Sequence, residues 1–133
     1  MTATAAIYGC EGTSLTADER AFFADANPFG FILFARNIDT PDQVRALCDQ
    51  LRSTVGRNAP ILIDQEGGRV QRLRPPHWRA FPPAMQDAAR DDAERVMELR
   101  YQLIADELAS LGIDVDCAPL LDVPIPGAHD VIG

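Results

Sequence analysis

Asp64, Glu66, Arg69 and Arg72 crowd into "PILIDQEGGRVQRL" (60–73), where an apolar run stops abruptly and charged residues take over. An ionised carboxylate such as Asp64 only accepts hydrogen bonds and can take two hydroxyl donors at once, which suits the vicinal diol of a sugar. Arg72 supplies complementary donors in a rigid fork. Gly67 and Gly68 can take backbone conformations closed to other residues, so the loop can fold back and bring Arg72 to Asp64. Two other readings stand beside this one. The four charged residues could form an ion-pair knot that merely pins the loop. The Gly-Gly-Arg run could be a phosphate nest, although it lacks both the Walker spacing and the GxGxxG fingerprint.

Other reactive residue types carry less. His77 and His129 are the only histidines, and neither has metal-ligand spacing to Cys or an HExxH partner, which argues against zinc. His77, beside Trp78 in a Pro-rich segment, reads as a packing or hydrogen-bonding residue. Ser14, Ser53 and Ser110 lack a G-x-S-x-G elbow, so a serine hydrolase has little support. Asp114, Asp116 and Asp122 suggest a divalent metal, but period-2 spacing puts Asp114 and Asp116 on one face of a strand near its start. They are expected to be solvated or helix-paired there. Arg36 is expected to position loops by ion pairing.

The elements that must hold these residues are marked by capping signals. "TADE" (16–19) and "TPDQ" (40–43) both match the S/T-x-x-E/Q capping box, and Pro41 sits at the favoured first helical position. After the second, Val44, Leu47, Cys48, Leu51 and Val55 recur at helical spacing until Gly56. A third helix is expected over about 91–111, with Val96, Leu99, Leu103, Ile104, Leu108 and Leu111 as one stripe and Gly112 as its stop. Between the helices lie the short apolar segments "AAIYGC", "FGFILFA" (29–35), "APILID" (59–64) and "IDVDCAPLLDV" (113–123). Strands alternating with helices imply βαβ units and a parallel sheet. Ligands gather at the carboxyl ends of such strands, and here those ends run into Arg36-Asn37, Asp64-Gln65-Glu66 and Asp122, which could face one shallow bowl. "RLRPPHWRAFPPAM" (72–85) is expected to be a loop. The last strand is followed only by "AHDVIG", so the pattern holds about four βα units, half of a (β/α)8 barrel of about 250 residues.

Bulk properties narrow the function classes. The 133 residues, 47% of them apolar, fit one domain with a real core. Twenty acids against 12 bases give a net charge of −8, which excludes an electrostatic nucleic-acid partner. All 12 bases are Arg; there is no Lys. Cys10, Cys48 and Cys117 form no CxxC pair and read as reduced core thiols of a cytoplasmic protein. "MTATAAIYGCEG" has no basic n-region, and the longest apolar run is far too short to cross a bilayer, so no membrane partner is expected.

"GFILFARNI" (30–38), "LIDQEGGRVQRL" (62–73) and "CAPLLDV" (117–123), in this order and at these separations, closely resemble glycoside hydrolase family 3 β-N-acetylhexosaminidases of the NagZ type. The likeness runs from the first capping box to "DVIG", so that residues 1–133 correspond to the N-terminal part of a TIM-barrel domain. It implies a cofactor-free and metal-free retaining enzyme that removes terminal, non-reducing N-acetylglucosamine. The typical bacterial substrate would be a cytoplasmic muropeptide released in cell-wall recycling. An Asp nucleophile and a His paired with an Asp on a mobile loop would do the chemistry. Asp64 and Arg72 match the family positions that bind the hydroxyls of the N-acetylglucosamine ring.

The chain also departs from that pattern. The family's next sugar-binding Arg falls just past "IG", and its "KHFPGHG"-like loop and nucleophile lie later still. The resemblance therefore implies part of a substrate-binding wall with no catalytic residue in these 133 positions. A non-catalytic half-barrel that binds sugar, or that associates with itself through open sheet edges, is the rival expectation.

Overall fold

The computed structural model describes residues 2–121, 123 and 125–127; Asp122 and His129, both singled out above, lie outside them. In chain order the elements are β1 (Thr4–Tyr8), α1 (Ala17–Ala26), β2 (Pro28–Leu33), a 3-10 turn (Ala35–Asn37), α2 (Pro41–Val55), β3 (Ile61–Ile63), β4 (Gln65–Gly67), β5 (Val70–Gln71), α3 (Ala84–Ala88), α4 (Ala93–Leu111) and β6 (Val115–Asp116). Among the described residues β1, β2, β3 and β6 form a sheet in that order, and each adjacent pair is parallel. The register sets Phe31 beside Ile61, Leu33 beside Ile63 and Leu62 beside Val115. This is the α/β parallel arrangement expected for the first four βα units of a barrel, and it brings all four carboxyl ends to one rim.

The helices begin and end for legible reasons. Thr16 accepts from Glu19 N–H at 3.2 Å while Glu19 Oε2 accepts from Thr16 N–H at 2.9 Å, a complete capping box. The second motif delivers only half of one. Thr40 accepts from Gln43 N–H at 3.3 Å, but Gln43 Oε1 accepts from Asp39 N–H. Its Nε2 donates to Thr13 O and Asn37 O, stitching the β1–α1 loop to the start of α2. Gly56 and Gly112 close α2 and α4 in the left-handed conformation.

The core lies between the sheet and the helices. Phe31 and Leu33 of β2 and Ile61 and Ile63 of β3 are fully buried against Val44, Leu47 and Leu51 of α2 and Ile104, Leu108 and Leu111 of α4. Neighbouring Phe23 meets Phe31 edge-on, with ring centres 5.1 Å apart.

Several sequence expectations need correction. The segment 59–64 forms a strand only over Ile61–Ile63, and the described residues of 113–123 only over Val115–Asp116. Among the described residues this strand is bonded on one side only, and Pro119 has no N–H to extend the ladder. The stretch after Asp64 is an antiparallel hairpin of β4 and β5, and the Pro-rich loop ends in α3. On α4 the buried line is Arg100, Ile104, Leu108 and Leu111, whereas Leu99 and Leu103 stand exposed. The apolar stripe is thus wider than the surface that covers it.

Candidate functional site

At the rim, β3 delivers Asp64 immediately after its last paired residue, and β5 delivers Arg72 immediately after its own. Arg72 Nη2 donates to Asp64 Oδ2 at 2.7 Å. Each side chain keeps 23% of its surface exposed, so the pair is neither sealed in the core nor free in solvent. The structure brings together the two residues expected to meet.

The return of the chain depends on the hairpin. Gly67 and Gly68 have φ of +95° and +59°. A β-carbon on Gly67 would collide with the Arg100 guanidinium and sit 2.6 Å from Pro82 O, so this position has room only for glycine. Gln65, fully buried, fixes the register from within. Its Oε1 accepts from the N–H groups of Arg72 (2.9 Å) and Leu73 (3.0 Å), and its Nε2 donates to Leu73 O (3.0 Å). Gln71 performs a similar service for the Pro-rich loop, donating to Arg79 O at 2.7 Å and accepting from Phe81 N–H at 3.0 Å. Buried Arg100 holds the assembly to α4. It pairs with Asp87 Oδ2 at 2.6 Å and donates to Pro82 O at 2.7 Å and to Glu66 O.

Asp116 of β6 and Cys117 just after it complete the electrostatics. Asp116 Oδ1 accepts from Gln65 N–H at 2.9 Å, while Oδ2 is buried with no partner among the described residues. Burial first, and then the charges of Asp64 and Glu66, push its pKa up to about 6 despite the Gln65 N–H and Arg100. Cys117 donates its N–H to Ile63 O at 2.8 Å, beside Asp64. Burial and the Asp64 charge raise its thiol pKa, so it is a poor nucleophile.

The end of β2 adds an aromatic. The Arg72 guanidinium carbon lies 5.9 Å from the Phe34 ring centre and that of Arg36 lies 4.7 Å from it. Arg36 does hold a loop, but through Nε to Cys10 O at 3.0 Å and the ring contact. Among the described residues it makes no ion pair, contrary to expectation. Asn37 does not face the bowl. It is fully buried, donating to Cys10 O (3.1 Å) and Gly12 O (2.8 Å) and accepting from Phe34 N–H (2.9 Å).

The remaining candidates separate from the rim. Asp114 is helix-paired at the opposite end of β6, accepting from Arg52 Nη2 at 2.7 Å and Ile61 N–H at 2.8 Å. His77 is exposed and edge-on to Trp78, with ring centres 5.6 Å apart. No three His, Cys, Asp or Glu side chains gather as a metal site among the described residues. Phe34 and Arg100 carried no assignment in the sequence, and only Arg100, a charge inside an apolar stripe, leaves a signal there. Gln65, expected to face the bowl, is fully buried. Asp116, expected solvated or helix-paired near a strand start, instead ends β6 with Oδ1 on Gln65 N–H and Oδ2 buried.

Comparison with known proteins fits this arrangement. The chain is 40% identical over 133 residues to a β-hexosaminidase of Alkalilimnicola ehrlichii, an alignment covering 96% of this chain and 37% of that protein. It superposes with a TM-score of 0.77 on the crystal structure of NagZ from Neisseria gonorrhoeae in complex with N-trifluoroacetyl-D-glucosamine, at 27% identity, covering 91% of this chain and 37% of that one. A family 3 β-N-acetylglucosaminidase from Paenibacillus sp. str. FPU-7 gives a TM-score of 0.76 at 30% identity, covering 88% and 23%. The chain thus spans between 23% and 37% of the length of these relatives. Residues 8–129 match the glycosyl hydrolase family 3 N terminal domain, and the chain belongs to that family.

Proposed function

We propose that residues 1–133 form the first part of one TIM-barrel domain of a retaining β-N-acetylglucosaminidase, and that Asp64 and Arg72 bind hydroxyls of the terminal, non-reducing N-acetylglucosamine. The observation that carries this reading is the partly exposed 2.7 Å pair at the carboxyl rim of a parallel sheet. A carboxylate offers about four lone-pair sites, so Asp64 retains acceptor capacity for a hydroxyl donor beside its bond to Arg72, and the Arg72 fork presents donors to a neighbouring hydroxyl oxygen. Likeness to β-hexosaminidases supports the sugar over a phosphate ligand.

The substrate in this reading is a muropeptide of cell-wall recycling, handled in the cytoplasm without metal or cofactor. Unpaired Cys10, Cys48 and Cys117 agree with a reducing compartment, and no helix among the described residues is long and apolar enough to cross a membrane. The 133 residues contain no lysine and hence no lysine-histidine loop, so nucleophile and acid/base do not come from them.

Titration with N-acetylglucosamine, followed by NMR, tests the pair. The chain should bind the sugar weakly, and Asp64→Ala or Arg72→Ala should weaken binding about tenfold or more, as expected when one partner of a charge-assisted hydrogen bond is removed. The chain alone should not turn over a chromogenic N-acetylglucosaminide. Equal binding by both variants would remove the assignment.

A second reading rests on a specific surface. Leu99 and Leu103 of α4 and Val115 of β6 are exposed along the open flank of the sheet. That flank favours a half-barrel that associates with another copy through its edges.

A further inference from the structure

Gln65 is joined to both halves of the Asp64–Arg72 pair, and a side chain of β6 is joined to Gln65. The Gln65 N–H belongs to the peptide group that follows Asp64, and its Oε1 accepts from the N–H groups of Arg72 (2.9 Å) and Leu73 (3.0 Å). Asp116 Oδ1 accepts from that Gln65 N–H at 2.9 Å. One carboxyl group therefore reaches Asp64 through a single peptide bond and the Arg72 backbone through a single buried amide.

Asp116 itself is only half satisfied. Its Oδ2 is buried with no partner among the described residues, although the residue lines the open groove beside α4 together with Tyr101, Ala118 and Pro119. The charged and titratable groups that act on it are Asp64 and Glu66 from the segment after β3, Arg100 and Tyr101 from α4, and neighbouring Cys117. Arg100 is the cation among them, and its guanidinium is committed to Asp87 Oδ2 at 2.6 Å, to Pro82 O at 2.7 Å and to Glu66 O. A neutral Asp116 can stay in this place, because Oδ2 then bears no charge that demands a donor. An ionised one leaves a buried charge without a donor, and the groove is where water can supply it. Turning toward the groove withdraws Oδ1 from Gln65 N–H, and both halves of the pair lose their common anchor.

We propose that Asp116 is a positioning residue for the bound sugar: its neutral form seats Gln65, and through Gln65 both Asp64 and Arg72, whereas its ionised form lets all three loosen. The chain then binds N-acetylglucosamine more tightly at mildly acid than at alkaline pH. Burial and the charges of Asp64 and Glu66, which push the Asp116 pKa up to about 6, set where the change falls. Ionisation of Asp64 itself would act with the opposite sign, since its carboxylate is what accepts the hydroxyls. This inference rests on the sugar-binding reading of Asp64 and Arg72.

The test titrates the 133-residue chain with N-acetylglucosamine by NMR at a series of pH values between about 5 and 8. Affinity should fall about threefold or more as pH rises through that range in the parent, and should stay level in Asp116→Asn, which keeps an oxygen for Gln65 N–H and cannot ionise. By reciprocity, saturating sugar should raise the pH at which the Asp116 carboxyl carbon titrates, by about half a pH unit for a threefold change. That second measurement is made on the parent alone and decides the matter even where Asp116→Asn does not fold. An affinity level with pH in the parent, a fall that survives in Asp116→Asn, or a carboxyl titration that the sugar leaves in place overturns the inference and leaves the sugar reading standing. Absence of sugar binding at every pH overturns the sugar reading and this inference with it.

Discussion

At Asp116, burial and the charges of Asp64 and Glu66 outweigh the hydrogen bond from Gln65, and the carboxyl stays protonated up to about pH 6. In the unfolded chain the same group ionises near 3.9. Between roughly pH 4 and 6 the folded form therefore binds the extra proton, and the stability this proton confers is lost as pH rises through that window. Asp116→Asn cannot ionise, keeps an oxygen for Gln65 N–H and adds donors where Oδ2 is orphaned. Its urea midpoint should exceed that of the parent most at pH 8, by less as pH falls through the window; an advantage that is the same at pH 8 and at pH 4 would show that Asp116 carries no such penalty. This coupling was invisible in sequence because it depends on the β3–β6 register, which joins Gln65 to a residue 51 positions later. Asp64 and Arg72, by contrast, sit in one short loop whose glycines announce its reversal.

The hairpin is the element that converts spacing into geometry. Its strands are too short and too polar to show alternation, so "QEGGRVQ" reads as loop, and only buried Gln65 and Gln71 reveal the structure. Gly67 is where it has least tolerance. Gly67→Ala places a side chain at φ +95° against Arg100 and Pro82 O. We expect a loss of about 1–3 kcal/mol in denaturant unfolding from the backbone conformation alone, with weaker sugar binding as Arg72 shifts. A variant as stable as the parent would mean that Arg100 yields easily. The helices were far more legible: Thr16, Thr40, Gly56 and Gly112 all act at the ends where they stand. Only the side chain of Gln43 goes elsewhere, because loop carbonyls of Thr13 and Asn37 compete for it.

For the molecule as a whole, strand-helix alternation was enough to give the parallel sheet, since covered strands leave near-continuous apolar runs. It did not give the width of the covered surface on α4, which depends on what packs there. An open groove of about 710 Å³, lined by Tyr101, Ile104, Leu108, Asp116 and Pro119 among others, runs along that flank. Ile7, Phe22 and Phe29 are exposed on the opposite flank. Size-exclusion chromatography with light scattering should consequently show concentration-dependent association, reduced by Leu99→Glu with Leu103→Glu. A strictly monomeric profile up to high concentration would speak against the associating half-barrel.

Every strand of the sheet points the same way, and this limits how copies can meet. A joint that continues the parallel order must bring the free side of β6 against the free side of β1, never like against like. Two copies joined so at both seams make a closed ring, whereas any joint that fails to return on itself grows without end. The same polarity that gathers Asp64 and Arg72 on one rim thus divides the outcomes of association into a sealed pair and an unbounded fibre.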